Sequence, residues 1–273
     1  MVGAFSDFNS GNHVKEQDLN PSIQAITFDL WDTIVDDDSD EPKRTAKGLL
    51  SKKAQRRRLI FDALNAVEPI VEAAVDLAYD TADAAFNFVW RDQRVTWTIA
   101  QRLRIVLQGL GRSLPPDVFD RVVADHQLME IDVAPDLIEG CAEALAVLST
   151  RYSLAIVSDA IVTPGICLRD LLEKHGVKQY FRGFAFSDEV GRSKPHRAMF
   201  SSAAKQLGVE IHQMIHIGDR EHNDIRGPHE LGMKAVLFTA TRNVDKGNSQ
   251  ADAICERYVD LPGIIDRLAG KRN

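Results

Sequence analysis

Residues 25–35 read Ala25-Ile-Thr-Phe-Asp29-Leu-Trp31-Asp32-Thr33-Ile-Val35. A short apolar run that ends at once in a carboxylate has the form of a buried strand delivering a charge to its C-terminal edge. In open α/β sheets that edge is where ligands and chemistry collect. Asp29 is therefore the first candidate for a nucleophile or a metal ligand. Trp31 stands where a second working carboxylate would be sought, and Asp32 is next to it. Adjacent residues of an extended strand face opposite ways, so a continuing strand would turn Asp32 away from Asp29.

On the N-terminal side, residues 1–20 are rich in Ser, Gly, Asn and Asp and read as a flexible tail. The strand itself spans about Ile23–Phe28. On the C-terminal side, the acidic segment Asp36-Asp-Asp-Ser-Asp-Glu-Pro42 is turn-like. From about Lys43 to Met129 the apolar residues recur at spacings of three and four. Leu59, Ala63 and Val67 form one such set, and Leu103, Val106, Leu107 and Leu110 another. About four helices are expected there and no strand.

After Pro135 helices and short apolar runs alternate. A helix at Ile138–Leu148 leads to a strand at Ser153–Ser158. A helix near Gly165–Lys174 leads to a strand at Gly183–Phe186. Pro195 can open a helix running to Leu207. Strands at Met214–Ile217 and Ala235–Phe238 follow. Strands alternating with helices imply parallel pairing through right-handed crossovers. The expected fold class is α/β, a doubly wound parallel sheet with an all-helical domain inserted after its first strand. The core would comprise residues 21–36 and 137–273, and the helical domain residues 37–136.

At 273 residues the chain is long enough for a sizeable core. A net charge of −7 argues against a general nucleic-acid binder. Cys141, Cys167 and Cys255 are far apart, which gives neither a zinc nor a disulfide framework and fits reduced thiols. The N-terminal stretch lacks the basic and apolar regions of a signal peptide. No apolar run approaches the ~18 residues of a membrane span. A cytoplasmic enzyme or binding protein, with no membrane or nucleic-acid partner, is the default expectation.

The ends of the strands carry a coherent set of groups: Asp29 on the first, Ser158 on the second, Lys194 ahead of a helix, and Asp219 with Asp224 after the last. They amount to a carboxylate nucleophile, a hydroxyl donor, a fixed positive charge and a pair of acids suited to a hard cation.

The stretches Phe28-Asp29-Leu-Trp-Asp-Thr33-Ile34, Ala155-Ile-Val-Ser158, Lys194-Pro195 and Gly218-Asp219-Arg-Glu-His-Asn-Asp224 occur in an order that resembles the haloacid dehalogenase (HAD) superfamily over about residues 22–265. The helical insert resembles that family's cap. The resemblance implies a Rossmann-like HAD core and a hydrolase in which Asp29 forms an aspartyl intermediate. It implies Mg²⁺ held by Asp29, the Trp31 carbonyl and Asp219 or Asp224, with Asp219 the stronger choice as direct ligand. Lys194 would neutralise the charge cluster, and Ser158 would hydrogen-bond a phosphoryl oxygen. Ser158, Asp159 and Lys194 form the implied substrate-binding set. Thr33 would hold the turn, and Asp224 can also cap the helix that follows.

Phosphatases of that family carry an acid/base Asp where this chain has Trp31. The haloacid dehalogenases carry an aromatic there, but they resemble Ser-Asn where this chain has Gly218-Asp219 and work without a metal. The expected function is therefore a Mg²⁺-dependent hydrolase of a small phosphorylated molecule. A 2-haloacid dehalogenase and a catalytically weak phospho-ligand-binding relative are the alternatives.

The basic run Lys52–Arg58 reads first as a solvated helix face or partner patch, with a polyanionic substrate as the other reading. Trp90, Arg91, Arg94 and Trp97 have the spacing of one helix face, as a core stripe or a cleft lining. His216, His222 and His229 show no metal-like spacing, with His222 nearest the site. A cap with exposed aromatics would give a homodimer a surface.

Overall fold

The computed structural model describes residues 23–271, so the tail expected at 1–20 lies outside the described residues. Strand β1 (Ala25–Phe28) is followed by the two-residue β2 (Val35–Asp36), which pairs antiparallel with β3 (Asp136–Leu137). This small ladder brings together the two ends of the long insert. The other strands are β4 (Ser153–Ser158), β5 (Phe181–Phe186), β6 (Met214–Gly218), β7 (Lys234–Phe238) and β8 (Ala253–Cys255).

β1 and β4–β8 form one parallel sheet in the order β5-β4-β1-β6-β7-β8. The chain builds outward from β1 through β4 and β5, then crosses over to lay β6 on the other flank of β1. The order therefore reverses at β1, the kind of switch point where α/β sheets bind ligands. Phe28 lies opposite both Ile156 and Ile217. That register brings Asp29, Ser158 and Asp219 to one edge.

The strands are apolar on both faces because helices cover both. Alternate residues take opposite sides: Phe28, Leu154 and Ile156 join one apolar cluster, while Ala25, Ala155 and Val157 join another with Met199 and Phe200. The insert contains α1 (Asp40–Ala46), α2 (Lys52–Val67), α3 (Glu72–Phe88), α4 (Ile99–Gly109) and α5 (Pro116–Asp132). Helices α2–α5 share an apolar cluster of their own, centred on Ile60, Leu64, Tyr79, Leu103 and Val106. The covering helices of the sheet are α6 (Cys141–Ser149), α7 (Gly165–Lys174), α8 (Ser187–Val190), α9 (Arg197–Leu207), α10 (Gly227–Glu230) and α11 (Leu261–Leu268). No helix among the described residues is long and apolar enough to cross a membrane.

Four local expectations are corrected. The buried stripe of α2 runs through Ile60 and Leu64, not Leu59, Ala63 and Val67, and Val67 is exposed. Trp90, Arg91, Arg94 and Trp97 do not share a helix: α3 gives way to a π-turn at Val89–Gln93, and Arg94 ends it in the left-handed region at φ 56°. Pro195 does not open a helix: α9 begins at Arg197, and His196 caps it through Nδ1 on the Ala198 N–H. Asp32 is not on an extended strand, since β1 stops at Phe28 and Asp32 sits in a turn at φ 54°.

Candidate active site

Asp29 is held at the sheet edge by its own N–H, which donates to the Ile217 carbonyl at 2.8 Å. Around it the strand ends assemble a buried charge cluster. Lys194 Nζ lies 2.8 Å from Asp29 Oδ1 and 2.7 Å from Asp224 Oδ1. Burial acts against the charge of Lys194, yet Asp224, Asp29 and Asp159 outweigh it and raise its pKa. Burial likewise acts against ionised Asp224, but Lys194 and His216 hold its carboxyl below the usual range.

Asp219 has the opposite balance. It is buried, both of its carboxylate oxygens lack a hydrogen-bond partner, and burial with the neighbouring charges of Asp224 and Asp29 raises its pKa. Ligand oxygens of Asp29, Asp219 and Asp224 all lie within 4.8 Å of one another. Three hard oxygen donors, one of them with two unpartnered oxygens, suit Mg²⁺. Asp224 is partly committed elsewhere: Oδ1 meets Lys194 and His216, and Oδ2 accepts from the Arg220 N–H at 3.0 Å. The last contact closes the turn after β6. Gly218 makes room for it, because a Cβ there would overlap the Asp224 side chain.

A cavity of about 230 Å³ opens beside this cluster, lined by Asp29, Trp31, Ser158, Asp159 and Lys194 from the sheet edge. Ser158 Oγ is buried without a partner, a free donor close to Asp29. Asp159 has a divided task. Its Oδ1 accepts the Lys194 N–H at 2.9 Å and so holds that loop, while Oδ2 is unpartnered. Burial first, then the charges of Asp29 and Asp224, outweigh Lys194 and push its pKa up to about 7. Asp32 does not line the cavity. Its carbonyl accepts Thr241 Oγ1 at 3.0 Å, and its carboxylate faces the N–H of Asp37. The Thr33 carbonyl accepts the Tyr258 hydroxyl, a contact that ties the turn to the fold.

The helical insert supplies the opposite wall through Asp37, Lys52, Arg56 and Glu130. The basic run is thus divided. Lys52 and Arg56, four apart on α2, face the cavity, while Lys53 and Arg58 face solvent. Lys52 Nζ pairs with Asp40 Oδ1 at 2.9 Å, and the Arg56 guanidinium is 3.3 Å from Glu130. Burial raises the pKa of Asp37 to about 6, against the pull of Lys52.

His216 corrects the expectation for the histidines. It is fully buried on β6, and its Nε2 is 3.1 Å from Asp224 Oδ1. His222 lies farther out, where its Nε2 accepts from Arg94 at 2.8 Å. The signal for His216 was its phase: it is two residues before Gly218 on one strand and beside Thr27, itself two residues before Asp29.

A parallel sheet with its charge cluster at the switch point, covered by an inserted helical layer, defines a hydrolase of the α/β class. A family model of haloacid dehalogenase-like hydrolases matches residues 23–232, and the chain belongs to that family. Among its relatives is the glyceraldehyde 3-phosphate phosphatase of Pyrococcus furiosus, 39% identical over 91% of this chain and 95% of that one. The protein of the same name from Methanopyrus kandleri is 30% identical over 88% of this chain and 94% of that one. The solved HAD phosphatase from Thermococcus onnurineus superposes with a TM-score of 0.60 at 20% identity, over 89% of this chain and 97% of that chain.

Proposed function

We propose that the protein is a Mg²⁺-dependent phosphatase of small phosphorylated molecules that works through an aspartyl-phosphate on Asp29. The observation that carries this reading is Asp219, a buried carboxylate beside Asp29 whose two oxygens have no hydrogen-bond partner, together with an unpartnered Ser158 hydroxyl in the cavity that Asp29 lines. Asp29, the Trp31 carbonyl, Asp219 and Asp224 would hold the ion. When bound, Mg²⁺ offsets the repulsion between the carboxylates and a phosphate dianion. Asp29 attacks phosphorus and the substrate oxygen departs with the bonding pair. Lys194, already at 2.8 Å from Asp29, balances the charge, and Ser158 donates to a phosphoryl oxygen. Asp159 keeps the Lys194 loop in place. Water then hydrolyses the aspartyl-phosphate. The helical residues 37–136 act as a cap that excludes bulk water.

Two relatives named glyceraldehyde 3-phosphate phosphatases make that compound the first substrate to assay. Trp31, an aromatic in the cavity wall, favours dehalogenation as the second reading. One panel separates them: glyceraldehyde 3-phosphate, p-nitrophenyl phosphate, acetyl phosphate and a 2-haloacid, each with Mg²⁺ and with EDTA. The phosphatase reading expects phosphate release that EDTA and Asp29→Asn both abolish. Halide release surviving EDTA would replace it with the dehalogenase. Ligand-induced thermal stabilisation without turnover of any compound would leave a phospho-ligand-binding protein.

A further inference from the structure

A second and larger concavity, of about 560 Å³, adjoins the active-site cavity and shares Trp90, Lys194, Arg220 and Asn223 with it. It lies between the π-turn after α3 and the segment that follows β6. Arg91 and Arg94 enter it from the turn, and Arg220, Arg226 and Arg242 from the core. The carboxylates among its lining residues are Asp92, Glu221 and Asp245. Two of these are already engaged. Glu221 accepts from Ser249 Oγ at 2.7 Å and from the Gln250 N–H at 3.1 Å, and Asp245 takes Arg242 at 2.8 Å and the Glu221 N–H at 3.2 Å. Arg94 points its guanidinium at His222, Arg226 reaches Glu221 only at 3.5 Å, and Arg220 and Arg242 lie 3.7 and 3.6 Å from Asp219 Oδ2. The groove is thus net positive in a chain whose overall charge is −7.

The groove is also preformed. The π-turn is pinned to the Lys194 loop: the Ser193 N–H donates to the Arg94 carbonyl at 3.0 Å, and Ser193 Oγ to the Trp90 carbonyl at 3.2 Å. These contacts hold Arg94 in the left-handed backbone region, a costly conformation for a non-glycine residue. The opposite end of the active-site cavity has the other sign. There Asp37, Asp38 and Glu130 outnumber Lys52 and Arg56, and Lys52 is neutralised by buried Asp40. An anionic tail on a substrate is repelled beneath the helical wall and attracted along the groove.

We propose that this groove binds a second anionic group, phosphate or carboxylate, carried by the substrate whose phosphoryl group meets Asp29. The inference rests on the phosphatase reading and favours substrates with two anionic groups over glyceraldehyde 3-phosphate, which carries one. The test uses 3-phosphoglycerate and glycerol 3-phosphate, which share a phosphoester and differ by carboxylate against hydroxymethyl. Arg91→Gln and Arg226→Gln alter the rim and leave the cluster at Asp29 intact. For the unaltered enzyme at low salt, kcat/KM is expected to favour 3-phosphoglycerate by about tenfold or more, the scale of one charge-assisted contact. The paired substitutions are expected to bring the ratio near one without slowing glycerol 3-phosphate. A ratio unchanged by them, or equal losses on both compounds, overturns the proposal. If neither compound turns over, calorimetric affinities for both are measured in the Asp29→Asn protein, with and without the two substitutions. A preference for 3-phosphoglycerate that they remove keeps the groove and rejects the phosphatase, and equal affinities reject the groove. Non-competitive inhibition by inorganic phosphate, relieved by the same substitutions, would assign the groove to free phosphate and overturn the substrate-borne anion.

Discussion

His216 Nε2 stands 3.1 Å from Asp224 Oδ1, the oxygen that also receives Lys194 Nζ. On its other side, His216 Nδ1 meets Thr27 Oγ1 at 2.8 Å. Burial lowers the pKa of this imidazole. A neutral ring with its proton on Nε2 satisfies both contacts, donating to Asp224 and accepting from Thr27. His216 therefore orients the carboxylate that anchors Lys194, although it lines neither the cavity nor the groove.

His216→Leu should remove that donor from a buried carboxylate and cost about 1–3 kcal/mol. The loss should depend on pH. The folded pKa of His216 lies below its ordinary 6.5, so between the two values the unfolded chain holds more protons than the folded one. The stability contributed by His216 is complete above pH 6.5 and declines as pH falls through that window. Urea unfolding of both proteins at several pH values should show the gap narrowing toward acid pH. A gap that widens there would mean that His216 is charged in the folded state.

Asp219 gives a pH dependence of opposite sign. Its folded pKa is raised by burial and by Asp224 and Asp29, so the folded protein without metal holds the extra proton. Its own contribution to metal-free stability is favourable below the ordinary carboxylate pKa and is lost as pH rises toward the shifted value. A cation must displace that proton, so binding strengthens with pH and releases protons. The rise in Tm on adding Mg²⁺ should therefore be larger at about pH 8 than at about pH 6, and Asp219→Asn should flatten the dependence. An equal rise at both pH values would remove Asp219 from the metal site.

The residues legible beforehand were those for which strand order alone decides the position. Asp29, Ser158 and Asp219 close apolar runs, and any parallel sheet built from those runs gathers their ends at one edge, with Asp224 five residues beyond Asp219. His216 was obscured because Met214-Ile-His-Ile217 reads as plain core, and only the pairing with β1 sets it beside Thr27. The split of Lys52 and Arg56 from Lys53 and Arg58 required knowing which face of α2 docks over the cavity, a tertiary fact that helical spacing leaves open. Trp90, Arg91, Arg94 and Trp97 read as one helix face because an α-helical period is extended across a π-turn. β8 has three residues, too few for any periodicity to register.

Gly218 is constrained by contact and not by backbone angle. A Cβ there would overlap the Asp224 carboxyl group, which is locked between Lys194, His216 and the Arg220 N–H. Gly218→Ala is therefore expected to cost about 1–3 kcal/mol as an overpacked site. It should also weaken Mg²⁺ binding, since Asp224 must move. Thermal melts in EDTA and a Mg²⁺ titration give the two numbers. Unchanged metal affinity with lowered Tm would show that Asp224 relaxes without disturbing the cluster.

Trp31 sets the last expectation. It lines the cavity with Asp29 and packs partly against the core of the sheet, yet an indole N–H has no proton to give or take at neutral pH. Under the proposed mechanism the departing oxygen leaves without a positioned acid. Turnover should then fall steeply as the leaving group becomes more basic, so acetyl phosphate and p-nitrophenyl phosphate should outpace alkyl phosphates. Trp31→Asp would place a carboxyl group on the cavity wall. It should raise kcat for an alkyl phosphate by about 10²-fold or more, the range of a positioned acid, while changing the aryl ester little. The same substitution should lower Tm, because the indole's packing is lost. A uniform rate change across leaving groups would mean that Trp31 does not occupy the acid's position, and that another cavity carboxyl, with Asp37 at a pKa of about 6 the first to test, protonates the departing oxygen.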